Sequence, residues 1–188
     1  LLTFWTSGLS RKGSPVHRTS GKLYLLAMTG LLLAAVPLTA TLAARNPVAG
    51  GFLAYLIIIT ITSVWTSWRA VKDKRDWARF TGPVYRVLMV ANLASGLAIA
   101  YVGLFVTNQM QVIFVAFSSI GIIGAVNMWR FSRREPDDAR WPLRQHLGAM
   151  LGNGVATHIA FLTIGLPKVL PFLAGSSLLN LAWLAPLV

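Results

Sequence analysis

Long uncharged stretches alternate along the chain with short clusters of charge. No Asp, Glu, Lys or Arg occurs at 23–44, 46–68, 87–129, 145–167 or 169–188. A helix needs about 20 mostly apolar residues to cross the hydrocarbon core. The 87–129 stretch holds two such segments, split by the polar "TNQMQ" at 107–111. The pattern predicts an all-α, polytopic transmembrane helical bundle, one domain over 1–188, with six spans at about 22–43, 48–68, 84–106, 110–130, 146–166 and 169–187. "ARNP" (44–47) and "TGP" (81–83) read as turns with Pro47 and Pro83 opening the following helices, where a missing N–H costs nothing. Pro37 falls inside the first span, a position that kinks helices. "GLPK" (165–168) reads as a tight link that makes the last two spans an antiparallel hairpin. The opening "LLTFWTSGLS" reads as the cytoplasmic end of a further, truncated N-terminal span, with a short interfacial segment as the alternative.

Composition sharpens this picture. Only 12% of residues are charged and 55% are hydrophobic, against about 25% charged in soluble domains. The net charge of +12 would point to nucleic acid in a soluble protein, but its distribution explains it otherwise. Arg11, Lys12, Arg18 and Lys22 precede the first span, six basic residues lie from Arg69 to Arg86, and five from Arg130 to Arg144. The alternate connections hold only Arg45 and Lys168. Lys and Arg in short loops mark the cytoplasmic side, so the basic loops and the C-terminus are assigned there, in a bacterial inner membrane. No nucleic-acid partner is needed.

The absence of Cys excludes disulfides, thiolate metal sites and Cys nucleophiles. All five acidic residues (Asp73, Asp76, Glu135, Asp137 and Asp138) fall in loops, which counts against an ion-coupled carrier with mid-membrane carboxylates. Trp65, Trp68, Trp77, Trp129 and Trp141 cluster near cytoplasmic ends, as an aromatic belt does.

The fifth span has the most readable faces. Gly148, Gly152, Ala156 and Ala160 recur every four residues, a small-residue stripe on which a second copy or a partner membrane protein can pack. At about 100° per residue, His146, Met150, Asn153 and Thr157 gather within about 60° on another face. His158 lies about 120° around from His146 and needs a polar partner in the membrane: a neighbouring hydroxyl or carbonyl, a haem iron, or Ser118 or Ser119 as a dyad. Asn92, Asn127 and Asn180 read as polar contacts between helices.

His17 and His146 both begin spans on the basic side. Two imidazoles at one depth can ligate a haem b axially or hydrogen-bond a quinone carbonyl. In the plainer reading, histidine rings sit at interfaces because one part is apolar and the other polar. Facing each other, His17 and His146 would form a cofactor site with Arg18 as partner to a propionate or an anionic headgroup and Met150 as a further ligand or packing group. No catalytic residue and no separate metal site is assigned.

The segment "HRTSGKLY" (His17, Arg18, Gly21, Lys22, Leu23 and Tyr24) resembles the H-R-x-x-G-[KR]-L-Y entry into a span of a family of bacterial membrane proteins, domain of unknown function 2306. His146 and Met150 are similar to a second histidine segment of that family. The resemblance implies a multi-span inner-membrane protein and no particular activity. Two function classes therefore stand: a non-enzymatic carrier or assembly subunit that binds lipid or a partner, and a haem- or quinone-binding redox protein.

Overall fold

The computed structural model describes residues 1–108, 111–173 and 183. Five helices are long and apolar enough to cross a membrane: Pro15–Arg45, Pro47–Lys72, Pro83–Val106, Gln111–Arg133 and Trp141–Val169. The sixth expected span, and with it Asn180, lies outside the described residues. The elements are α1 (Leu2–Leu9), α2 (Pro15–Arg45), α3 (Pro47–Lys72), the single turn α4 (Trp77–Phe80), α5 (Pro83–Tyr101), α6 (Gln111–Arg133), α7 (Trp141–Ala160) and α8 (Leu166–Val169). π-helical turns extend α5 over Val102–Val106 and α7 over Phe161–Gly165.

The helix starts follow local chemistry. Ser14 caps α2 by accepting from His17 N at 3.2 Å, Asn46 caps α3 by accepting from Ala49 N at 3.0 Å, and Pro15 and Pro47 follow the caps. Such side-chain oxygens satisfy N–H groups that the first turn leaves free. "GLPK" is not a turn, contrary to the sequence reading. It continues the seventh helix as α8, with Pro167 in the first turn, where no N–H is called for.

α3 is the central helix, in contact with α2, α5 and α7, while α5 and α6 form their own antiparallel hairpin. Lipid is as apolar as leucine, so helices associate through close packing and polar bonds. Both are present between α3 and α6. The Tyr55 hydroxyl donates to Phe117 O and accepts from Gly121 N at 2.9 Å, and a Cβ on Gly121 would lie 2.9 Å from the Tyr55 ring. Asn92 on α5 reaches α3 by donating to Thr62 Oγ1 at 2.6 Å. Nearby, Phe52 stacks on Phe114 at 4.6 Å between centroids. Leu33, Val87, Leu97, Ile123 and Leu151 point outward, where lipid would meet them.

The basic end differs from the expected aromatic belt. α4 folds back and buries Phe80 against Tyr85, Trp65 and Trp141, with Phe131 and Trp77 packed around them. Three of the five tryptophans thus build an internal cluster. Only Trp68 and Trp129 stand outward, 42% and 50% exposed, under Lys72 (5.1 Å) and Arg133 (5.7 Å).

Candidate functional site

One group of polar side chains inside the bundle lies where α1, α2 and α7 meet. α1 runs antiparallel to α2, since Ser7 meets His17 and Phe4 meets Tyr24. Gly154 makes the approach to α7 possible: a Cβ there would collide with the Phe4 ring. Phe4 fills that notch and touches the rings of Tyr24 and His158 at 5.4 and 5.7 Å.

His158 is fully engaged. Its Nδ1 lies 2.7 Å from Gly154 O, and its Nε2 is 3.1 Å from the Trp5 indole nitrogen. An indole N–H only donates and a carbonyl only accepts. The ring is therefore neutral, with the proton on Nδ1 and the Nε2 lone pair taken by Trp5. A haem iron would have to displace that indole, so His158 does not fit a haem ligand as it stands. Ser118 and Ser119 bond back to Val115 O and Ala116 O on their own helix and form no dyad with it.

The face of α7 that carries His146, Met150, Asn153 and Thr157 turns into the bundle. Met150 packs against the cluster of Tyr24, Leu25 and Met28. The Thr157 hydroxyl lies 2.7 Å from Asn153 O and 2.7 Å from the Tyr24 hydroxyl. With the Thr157 proton directed to the Asn153 carbonyl, Tyr24 is the donor of the second bond. Asn153 is 0% exposed, and neither its Oδ1 nor its Nδ2 meets a hydrogen-bond partner from the described chain. A buried amide left without partners costs about 1–3 kcal/mol per group.

The other expected site residues are not gathered here. His17 places Nδ1 2.9 Å from Ser7 O on α1, whereas His146 places Nδ1 2.9 Å from Ser67 O on α3. Among the described residues no hydrogen bond or ring contact joins the two. An Nδ1–H directed at the carbonyl leaves Nε2 as the acceptor in the neutral form of each ring, the arrangement that orients metal-ligating histidines. Arg18 is exposed. No group of three or more His, Cys, Asp or Glu among the described residues is placed to hold a metal ion.

Among the described residues the small-residue stripe is mostly exposed, at Gly148, Gly152 and Ala160, with Ala156 half-buried. Gly148 has nothing within 4 Å of a Cβ position, and a Cβ on Gly152 would lie 3.6 Å from Ser63 Oγ. The tight contact of α7 is at Gly154, midway between Gly152 and Ala156 of the stripe. Sequence reasoning missed Phe4, Trp5 and Gly154 because eight residues of helix announce no packing partner. The only signal was that His158, inside a span, needed a donor or acceptor. No family model, curated protein or solved structure matches the chain.

Proposed function

We propose that the chain is a non-enzymatic binding or carrier subunit of a bacterial inner membrane, with its basic loops in the cytoplasm, and that the seam of α1, α2 and α7 receives the polar end of a neutral lipid. One observation carries this reading: Asn153 is wholly buried at a membrane-crossing helix with both amide atoms unpartnered by the chain. The Nδ2 hydrogens ask for an acceptor and Oδ1 asks for a donor. A free hydroxyl supplies both, a quinone carbonyl only the first. Tyr24, Met28 and Met150 give the surrounding wall an apolar, adaptable character. The resemblance of "HRTSGKLY" to domain of unknown function 2306 agrees with the membrane assignment and adds no activity. The stripe of Gly148, Gly152, Ala156 and Ala160 remains the proposed face for a second copy or a partner membrane protein.

The second reading, a quinone- or haem-binding redox protein, rests on the Nε2 acceptors of His17 and His146. Binding of 1,2-dioctanoylglycerol and of decylubiquinone to the purified chain in detergent separates the two. The first reading expects dioctanoylglycerol to bind and Asn153→Leu to weaken it at least tenfold, the loss of about one to two hydrogen bonds. Quinone binding that ignores Asn153→Leu and fails in His146→Leu, or a Soret band after expression with haem supplied, supports the second and sinks the first.

A further inference from the structure

We propose a phosphate-binding site at the basic end of the bundle, in the link between α3 and α4. A cavity of about 310 Å³ opens there, lined by Lys72, Asp73, Lys74, Arg75, Asp76 and Arg79. That volume lies at the lower end of the range of about 300–1,000 Å³ that ligand sites occupy. The two carboxylates are already committed. Asp73 is buried between Arg69 (2.6 Å) and Arg79 (3.6 Å), and Asp76 caps α4 by accepting from Arg79 N at 2.8 Å. Lys72, Lys74 and Arg75 have no carboxylate partner among the described residues.

What distinguishes this link from the other basic loop is the concavity that its cations line. In the other loop Arg134 pairs with Asp137 at 3.1 Å and Arg144 with Asp138 at 2.8 Å, while Arg130, Arg133 and Arg140 have no carboxylate partner among the described residues. In the α3–α4 link the acids instead fix the backbone and leave three cations facing one concavity. An anion with several oxygens answers the three cations Lys72, Lys74 and Arg75 that line the cavity, and phosphate is the common biological form. The surroundings suit a phosphate carried by a lipid: Trp68 lies under Lys72, and the exposed Trp68 and Val71 offer apolar surface beside the cavity.

The shared chemistry is a phosphate group, and two carriers can supply it: an anionic lipid headgroup or a soluble phosphate. The test uses the full chain in mild detergent. Retention of phosphatidylglycerol and phosphatidylcholine is measured by native mass spectrometry, and binding of inorganic phosphate by calorimetry. Lys74→Gln with Arg75→Gln is compared with Arg133→Gln with Arg134→Gln. Both lysine and arginine of the first pair are exposed and unpaired, so thermal unfolding should be unchanged. At roughly fivefold per basic residue near an anionic group, the first pair should weaken binding about 30-fold, and the second less than threefold. Selective retention of phosphatidylglycerol with that pattern assigns the site to lipid. Binding of inorganic phosphate with that pattern, and no preference between the lipids, assigns it to a soluble phosphate. Equal losses in the two variants, or no binding of either probe, overturn the site.

Discussion

Replacing Asn153 by leucine should make the lipid-stripped protein more stable while removing its ligand binding. Leucine has nearly the shape of asparagine and no polar atoms, so it occupies the same buried space on α7. Each of the two unpartnered amide atoms carries a desolvation cost of about 1–3 kcal/mol. Unfolded membrane helices find partners of their own, which lowers the net effect, and a gain of about 2 kcal/mol is expected. At about 2–4 °C per kcal/mol for a chain of this size, Tm should rise by about 4–8 °C. Asn92 supplies the control. It is equally buried in the membrane but donates to Thr62 Oγ1 and to Leu88 O, at 2.6 and 2.7 Å, so Asn92→Leu should lower stability by about 1–3 kcal/mol. The assay is thermal unfolding in detergent, followed by circular dichroism after lipid is removed. Gain of stability at the cost of function is the expected trade at a binding site. If Asn153→Leu lowers Tm as Asn92→Leu does, the amide is already satisfied and the argument from it fails.

Other substitutions test the packing that forms the seam. Trp5→Phe keeps the ring beside His158 and deletes the indole donor; stability should fall by about 0.5–1.5 kcal/mol, and the His158 Nε2 resonance in 15N spectra should move as its bond is lost. Gly154→Val should push Phe4 out of its notch and release α1, read as faster hydrogen exchange over residues 2–9, whereas Gly148→Val, with open space around it, should change monomer stability by less than about 0.5 kcal/mol. Tyr55→Phe removes both bonds between α3 and α6 and leaves Gly121 N without its acceptor, so unfolding should come about 1–3 kcal/mol earlier.

Bilayer thickness is why so much of the bundle could be read from the chain. The uncharged stretches at 23–44, 46–68, 87–129 and 145–167 became α2, α3, the α5–α6 pair and α7, because a span must be uncharged for a fixed length. The turns at 44–47 and 81–83, with Pro47 and Pro83 opening the following helices, are equally plain. The shared face of His146, Met150, Asn153 and Thr157 followed from helical periodicity alone. Lateral neighbours did not follow. Charge distribution sets depth and leaves open which helices touch, so the carbonyls that His17 and His146 meet, Ser7 O on α1 and Ser67 O on α3, could not be read from the chain. Trp65, Trp77 and Trp141 look like belt residues in any linear reading. Only the fold-back of α4 around Phe80 turns them inward. "GLPK" carries every mark of a turn, yet a proline in the first turn of a helix is as acceptable as one in a loop.

The claim that the Asn153 amide receives a ligand's hydroxyl can be measured at the atom concerned. In protein labelled with 15N-asparagine, the Asn153 side-chain resonance is identified by its loss in Asn153→Leu, and that of Asn92 by its loss in Asn92→Leu. On titration with 1,2-dioctanoylglycerol the Nδ2 resonance of Asn153 should shift with saturation as its protons gain an acceptor, while that of Asn92, already bonded to Thr62, stays in place. An Asn153 resonance that does not move at saturating dioctanoylglycerol would contradict the account.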